Sequence, residues 1–334
     1  MNAKLRIGLI GTGRIGQVHA RSVAGSSRTE LHMVADVFLE GAEATAKEYG
    51  GTATSDAMDL FKPGAVDALI IASPTSTHVD LISAAIDAGI PAMCEKPIDL
   101  DISRVDAIRD KAKNSKAPIV LGFNRRFDPH FAEMHRRVMN GDIGKLEQFL
   151  ITSRDPAPPT MDYVKVSGGI FRDMTIHDFD MARFFVPKIV SVTANGFNQF
   201  SPEIKAEGDF DAVSVTLRGA NDEIVSITNS RHSAHGFDQR LEAFGTKGML
   251  RVENITDTVV RHYTADFVEA REPYQNFFLQ RYMDSYINEL AAFIARIDGE
   301  ESKSPSFEDG RSALVLADAA LESAKTGKTI AVTV

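Results

Sequence analysis

Three groups of residues in this chain have types and spacings that could do chemistry. The first is Gly11-Thr-Gly13-Arg-Ile-Gly16, followed twenty residues after Gly16 by Asp36. Gly11 permits a tight turn, Gly13 lets the backbone approach a pyrophosphate, and Gly16 lets a helix pack close to a strand. Arg14 and Ile15 are candidate cofactor contacts within the turn, and the helix that follows offers free N–H groups and a positive dipole end that suit phosphates. Asp36 stands where a carboxylate accepts hydrogen bonds from a ribose diol. The second group is Glu95-Lys96-Pro97. Its ammonium could hydrogen-bond a substrate hydroxyl, and Pro97 restricts Lys96 to an extended backbone; the plain alternative is a surface lysine after a strand. The third is Asp173 and His177, four apart and so on one helix face. An acid beside an imidazole is a candidate general base with a partner. The alternative is a helix N-terminal acid that favours the dipole, with a histidine hydrogen-bonded below it. Gly168-Gly169 just before the pair would let another molecule or backbone approach, which favours function.

These groups need elements to hold them. From residue 4 to about 122, apolar runs alternate with helical patterns. Strands are expected at Leu5–Ile10, Leu31–Asp36, Ala68–Ala72, Pro91–Glu95 and Ile119–Gly122. Helices are expected over stretches such as Ile15–Ala24, Gly41–Tyr49, Thr77–Ala88 and Ser103–Asn114. Val79, Ile82 and Ile86 recur at helical spacing, and Gly89 suits the C-terminal cap. Such alternation predicts an α/β fold with a parallel, doubly wound sheet, its ligand at the carboxyl ends of the strands. Gly11–Gly16, Ser73–His78 and Glu95–Pro97 all reach that edge, which makes Ser73, Thr75, His78 and Glu95 candidate cofactor contacts. Asn124 and Arg126 lie beside the same crevice, although His78, Asn124 and Arg126 can equally be a helix-start histidine, a turn asparagine and a surface arginine.

Past Gly122 the pattern changes. A helix at Pro129–Met139 leads to a strand near Leu146–Thr152, then to an irregular loop beginning Asp155-Pro-Ala-Pro-Pro159. A helix at about Thr175–Phe185 follows. Period-two alternation then predicts strands: Val213, Val215 and Leu217 face one way, Val190, Val192 and Ala194 repeat the pattern, and Ile224–Thr228 and Leu241–Gly245 are further strands. One buried and one wetter face predict an open, mostly antiparallel sheet. A long helix, Phe277–Ile297, shows a stripe of Ile287, Leu290, Ile294 and Ile297, with Tyr282 and Tyr286 read as packing. In a last helix, about Glu308–Lys325, Leu314, Ala317, Leu321 and Ala324 share a face, with Gly327 at its end. The expected division is a first domain at 1–122 and a second at 123–334, the last helix being free to pack back on the first.

The 334 residues suffice for two domains with substantial cores. A net charge of −9 offers no broad basic surface to nucleic acid or anionic lipid. Cys94, the single cysteine, permits no intrachain disulfide. No apolar run reaches membrane-spanning length, and the first strand leaves no room for a signal peptide, so a soluble cytoplasmic protein is expected. His177, Asp178 and Asp180 could be read as metal ligands, but neighbours on a helix diverge, so no metal is expected.

Gly11–Gly16 with Asp36, Ser73-Pro-Thr-Ser-Thr-His78, Cys94-Glu-Lys-Pro97, Gly122-Phe-Asn-Arg-Arg-Phe127 and Gly168-Gly-Ile-Phe-Arg-Asp-Met-Thr-Ile-His177 occur in that order. Over nearly its whole length the chain resembles the glucose-fructose oxidoreductase/inositol dehydrogenase/MocA (Gfo/Idh/MocA) family, and within it the bacterial inositol 2-dehydrogenases. The resemblance implies an N-terminal Rossmann domain that binds NAD and a C-terminal domain used for substrate and for assembly, often into tetramers. It implies oxidation of a secondary hydroxyl of a cyclitol, such as myo-inositol to its 2-keto inosose, in polyol metabolism. Lys96 matches the family lysine at the reacting oxygen, His177 the general base and Asp173 its neighbour. Arg126 and Asp155 fall where members contact substrate, while the loop 155–166 matches no family motif. The rival expectations are a dehydrogenase for another polyol or aldose, an NAD-dependent glycosidase that oxidises transiently, and a non-enzymatic dinucleotide or sugar sensor. A sensor need not keep a lysine and an acid–histidine pair.

Overall fold

A computed structural model describes residues 3–334. The described chain forms two compact units: residues up to Phe127 with Asp284–Leu314, and Asp128–Met283 with Val315–Val334.

The first unit is built on six strands: β1 (Leu5–Ile10), β2 (Thr29–Ala35), β3 (Thr52–Thr54), β4 (Ala68–Ile71), β5 (Ala92–Cys94) and β6 (Ile119–Leu121). They lie in the order β3-β2-β1-β4-β5-β6, every neighbouring pair parallel. The central strands are apolar on both faces, as a sheet covered on both sides requires: Ile7, Leu9, Leu69, Ile70 and Ile71 are buried. The short polar β3 had no sequence signal of its own; pairing with β2 makes it a strand. Helices Arg14–Gly25, Leu39–Tyr49 and His78–Ala88 follow strands, the last ending on Gly89, which takes the left-handed conformation (φ +68°) that a C-terminal cap requires. The helix expected over 103–114 is instead two, Ile102–Ala107 and Arg109–Lys113, because Ile108 leaves helical geometry.

The helix expected over 277–297 is likewise divided, into Phe278–Arg281 and Met283–Ile297, broken at Tyr282. Leu290, Phe293 and Ile294 join Ile7, Leu9, Ile70 and Met93 in the core of the first unit. Ile287, expected on the buried stripe, is 52% exposed. The aromatic Tyr286 and Phe293 centre the buried face, and Ile287 falls on its rim.

The second unit contains β7 (Leu146–Arg154), β8 (Ile189–Phe197), β9 (Ala212–Gly219), β10 (Ile224–Ser230), β11 (Asp238–Gly245), β12 (Gly248–Val252) and β13 (Ile330–Ala331). Their order is β12-β11-β7-β10-β9-β8-β13. All pairs are antiparallel except β7 with β10. One face buries Phe149, Ile151, Val213, Val215, Leu217, Val225 and Ile227. Helix Ile176–Phe185 packs there, with the Phe185 ring 4.3 Å from that of Phe149. The other face is open and mixes Thr152, Thr216 and Thr228 with Leu150, Ile224 and Phe244. Val190 departs from its expected inward position and is 40% exposed. A register shift between Ile189 and Ser191 moves Ile189 inward and Val190 out, as a bulge does to a period-two pattern. The final helix runs Phe307–Thr326 and ends on Gly327 (φ +69°), whose N–H donates to Ser323 O.

Candidate active site

In a parallel sheet all strands end at one edge. There the first unit gathers Gly11–Gly16 after β1, Asp36 after β2, Ser73 after β4, and Glu95 and Lys96 after β5. β1 and β4 are neighbours whose connections leave toward opposite sides, which is the switch point where open α/β sheets hold ligands. Gly11 has φ +97°, and a Cβ there would lie 2.6 Å from the Ala72 carbonyl carbon. A Cβ on Gly16 would lie 2.1 Å from Gly11 O. Gly13, by contrast, is exposed and has nothing within 4 Å of a would-be Cβ. The backbone there opens onto free space at a helix start with no side-chain cap, and the first helical bond runs from Gln17 N–H to Gly13 O. Open space in front of uncapped first-turn amides is what a pyrophosphate needs.

Asp36 closes this cradle. Its Oδ2 accepts the N–H and the hydroxyl of Thr12 at 2.8 and 2.7 Å, and its Oδ1 accepts Phe38 N–H at 2.9 Å. Partial burial pushes its carboxyl upward, but the bonds from Phe38 and Thr12 together outweigh that and hold it below the ordinary carboxylate range. Exposed Val37 and Phe38 follow it, and neither offers a cation. These residues fit a dinucleotide with an unphosphorylated ribose.

The 73–78 and 95–97 segments are tied together. His78 is buried, with Nδ1 2.8 Å from Pro97 O and Nε2 2.8 Å from Ser73 O, so its ring braces the two segments. Ser73 Oγ lies 2.6 Å from Thr77 Oγ1, and Thr75 is half-buried in the same turn. The Lys96–Pro97 peptide is cis, and Lys96 is half-buried. Glu95 is buried beside it: Oε1 lies 2.8 Å from His19 Nε2, and Oε2 accepts Lys96 N–H at 3.3 Å. A Cβ on Gly122 would come within 3.0 Å of the Glu95 carboxyl carbon, so that glycine makes room for the carboxylate. Sequence reasoning missed His19. Its signal was its place three residues after Gly16 and four before Val23, on the buried face of the first helix. Asn124 and Arg126 occupy a buried turn, Asn124–Phe127, where Arg126 Nη2 lies 3.3 Å from Asp309 Oδ1.

The second unit holds the acid–histidine pair. Asp173 lies in a π turn, Phe171–Thr175, and His177 in the α-helix that continues from it. Both are half-buried. Asp173 Oδ1 accepts the Tyr163 hydroxyl at 2.8 Å, and Oδ2 lies 3.3 Å from Arg231 Nη1. Tyr163 comes from helix Met161–Val166, inside the loop expected over 155–166. Asp178 points away from the pair and accepts from Ser153 Oγ (2.8 Å) and Asn229 Nδ2 (2.6 Å), which anchors the helix on β7 and β10. Asp180 is also buried. Asp155 follows β7, and its N–H donates to Ser230 O at the end of the parallel β10. Arg231 comes next and was missed by sequence reasoning. Continuing the inward alternation of Val225, Ile227 and Asn229 by two residues would have put it on the buried face.

Residues 5–123 match an oxidoreductase family with an NAD-binding Rossmann fold, and residues 131–251 match the GFO/IDH/MocA C-terminal domain. The chain belongs to the GFO/IDH/MocA family. The GFO/IDH/MocA membership, the fold class and the nicotinamide cofactor expected from the sequence are thereby borne out. Inositol 2-dehydrogenase of Rhizobium meliloti (strain 1021) is a relative 46% identical over 330 residues, 98% of this chain and 99% of that one. A myo-inositol dehydrogenase from Corynebacterium glutamicum ATCC 13032 is a similar solved structure, with a TM-score of 0.95 and 54% identity over 99% of this chain and 100% of that one. A scyllo-inositol dehydrogenase from Lactobacillus casei, solved with NAD(H) and scyllo-inositol, has a TM-score of 0.89 and 28% identity over 98% of this chain and 99% of that one. Among the described residues, no helix is long and apolar enough to cross a membrane.

Proposed function

We propose that this protein is an NAD-dependent inositol 2-dehydrogenase that oxidises myo-inositol to the 2-keto inosose. The observation that carries the reading is near full-length similarity to inositol dehydrogenases at 46% and 54% identity, joined to a nucleotide cradle that fits NAD. When bound, a nicotinamide would supply the hydride acceptor for the carbinol carbon. An imidazole nitrogen of His177 takes the hydroxyl proton, and Lys96 Nζ stabilises the negative charge developing on that oxygen. Asp173 orients His177 or holds a neighbouring hydroxyl. Gly11–Gly16, Asp36, Ser73, Thr75, His78, Glu95 and Asn124 bind the dinucleotide or brace the loops that do, and Arg126 and Asp155 serve the polyol. A panel of myo-inositol, scyllo-inositol and aldoses with NAD tests this, read as formation of reduced nicotinamide. Oxidation of an aldose alone would replace the cyclitol reading, and no turnover with any of them would favour a sensor.

Asp36 carries a prediction about the cofactor. A carboxylate near a 2′-phosphate repels it by about 1–4 kcal/mol, so kcat/KM is expected to favour NAD over NADP by about 10–10³-fold. A carboxyl held low keeps its charge as pH falls, so the preference should persist from about pH 8 to about pH 5. Equal efficiency with NADP would remove Asp36 from this role.

The same reading makes the protein a cytoplasmic homotetramer assembled through the open face of the second unit's sheet. The support is the apolar content of that face, with Leu150, Ile224 and Phe244 between 37% and 43% exposed. Light scattering should then give four times the 36.5 kDa chain mass, and a monomer at micromolar concentration would overturn it.

A further inference from the structure

We propose that Arg231 is a positioning residue for proton transfer, holding the 169–173 turn so that Asp173 and His177 keep their working geometry. The inference rests on assigning that pair to proton transfer. Arg231 is 0% exposed and heads the fully buried side chains by volume. It therefore reaches no substrate and acts through its partners. Nη1 lies 3.3 Å from Asp173 Oδ2, and Nη2 lies 3.2 Å from Asp209 Oδ2. The other oxygen of Asp209 accepts Ile170 N–H at 2.9 Å, and it stands 2.9 Å from where a Gly169 Cβ would be. One arm of the fork thus holds Gly169 and Ile170, just ahead of the Phe171–Thr175 π turn, through Asp209, and the other holds Asp173 at the middle of that turn. The helix bearing His177 continues directly from that turn.

The clamp itself is anchored. Arg231 N–H donates to Asp211 O, and the Asp211 carboxylate accepts the N–H groups of Gln199, Phe200 and Ser201. On the far side, the Tyr163 hydroxyl holds the remaining Asp173 oxygen. A guanidinium is planar and always charged, and it presents its donors in a fixed fork, so it can set the spacing of two carboxylates in a way a flexible ammonium cannot. Charge-assisted bonds of this kind are also stronger than neutral ones when water is excluded. The competing account is an ion network that only stabilises the second unit. The two differ in what happens to turnover once the protein is folded.

The test uses the full chain with NAD and myo-inositol, comparing Arg231→Met, Arg231→Lys, Asp173→Asn and the double variant Arg231→Met/Asp173→Asn. Folded Arg231→Met should lose about 10–10²-fold in kcat, the scale on which misplacement of a reacting group is felt. Its NAD dissociation constant should stay within about twofold of wild type, and Arg231→Lys should recover part of the loss. Because one arm of Arg231 acts through Asp173, adding Arg231→Met to Asp173→Asn should cost less than Arg231→Met costs alone, no more than the roughly 3–10-fold expected of the Asp209 arm. Independent, multiplicative losses, or an unchanged kcat in folded Arg231→Met, would overturn the proposal. If Arg231→Met does not fold, Asp209→Asn decides: a folded variant with kcat lowered by roughly 3–10-fold and NAD affinity retained supports the clamp, and unchanged kcat overturns it. Normal turnover in Asp173→Asn together with His177→Ala would instead reject the underlying assignment. Losses there with additive Arg231 effects reject only the clamp.

Discussion

His177→Ala is expected to lower oxidation of myo-inositol by roughly 10²–10⁴-fold, the usual weight of a general base. A secondary hydroxyl is a poor hydride donor until its proton begins to leave, and the imidazole is the group proposed to take it. The histidine sits four residues after Asp173, at the start of the helix that continues from the π turn and that Asp178 pins to β7 and β10. Its removal should therefore leave the fold and NAD affinity largely intact. The wild-type rate should also fall on the acid side, since an imidazole that has gained a proton cannot accept one. Histidine is the side chain whose unperturbed titration lies between about pH 5 and 8. In His177→Ala that acid limb should vanish along with the rate. A folded variant with normal turnover and an unchanged pH profile would end the assignment.

Lys96→Met is expected to lower turnover by a factor on the order of 10²–10³, as loss of one preorganised charge-stabilising donor does elsewhere. Met keeps most of the stem and removes the charge. Arg at the same position should not restore full activity, because its planar fork differs from a compact ammonium. Glu95 and His78 brace the backbone around Lys96, so the substitution should not disturb the segment. NAD affinity should change far less than rate, since the pyrophosphate and ribose contacts are assigned to Gly11–Gly16 and Asp36. The paired measurement is the NAD dissociation constant by titration and steady-state oxidation of myo-inositol. If affinity falls in proportion to rate, Lys96 is a cofactor ligand only. If neither changes, Glu95-Lys96-Pro97 is merely the end of a strand.

Much of the first unit was legible because its signals are local. A strand that must be apolar on both faces, the glycines of a turn with no room for Cβ, an acid at the next strand's end and the Gly89 cap each act within a few residues. Period two likewise revealed β9 and β10, whereas the expected single helix around Asp173 and His177 begins as a π turn that holds Asp173 and only then becomes the α-helix of His177. The polar groups behind the candidate catalytic residues were a different matter. Glu95 meets His19 across 76 residues, and Arg231 meets Asp173 across 58 and Asp209 across 22. Nothing in the local pattern names such partners, because a buried charge is satisfied by whatever the packed chain brings to it. Packing also returned Leu290, Phe293 and Ile294 to the core of the first unit, left Ile287 on the rim of its helix, and turned Val190 outward at a bulge. The chain by itself determined most of the elements that form and nominated the residues proposed to carry the chemistry. Tertiary structure decided what stands behind those residues, because pairing over tens of residues depends on where whole elements pack.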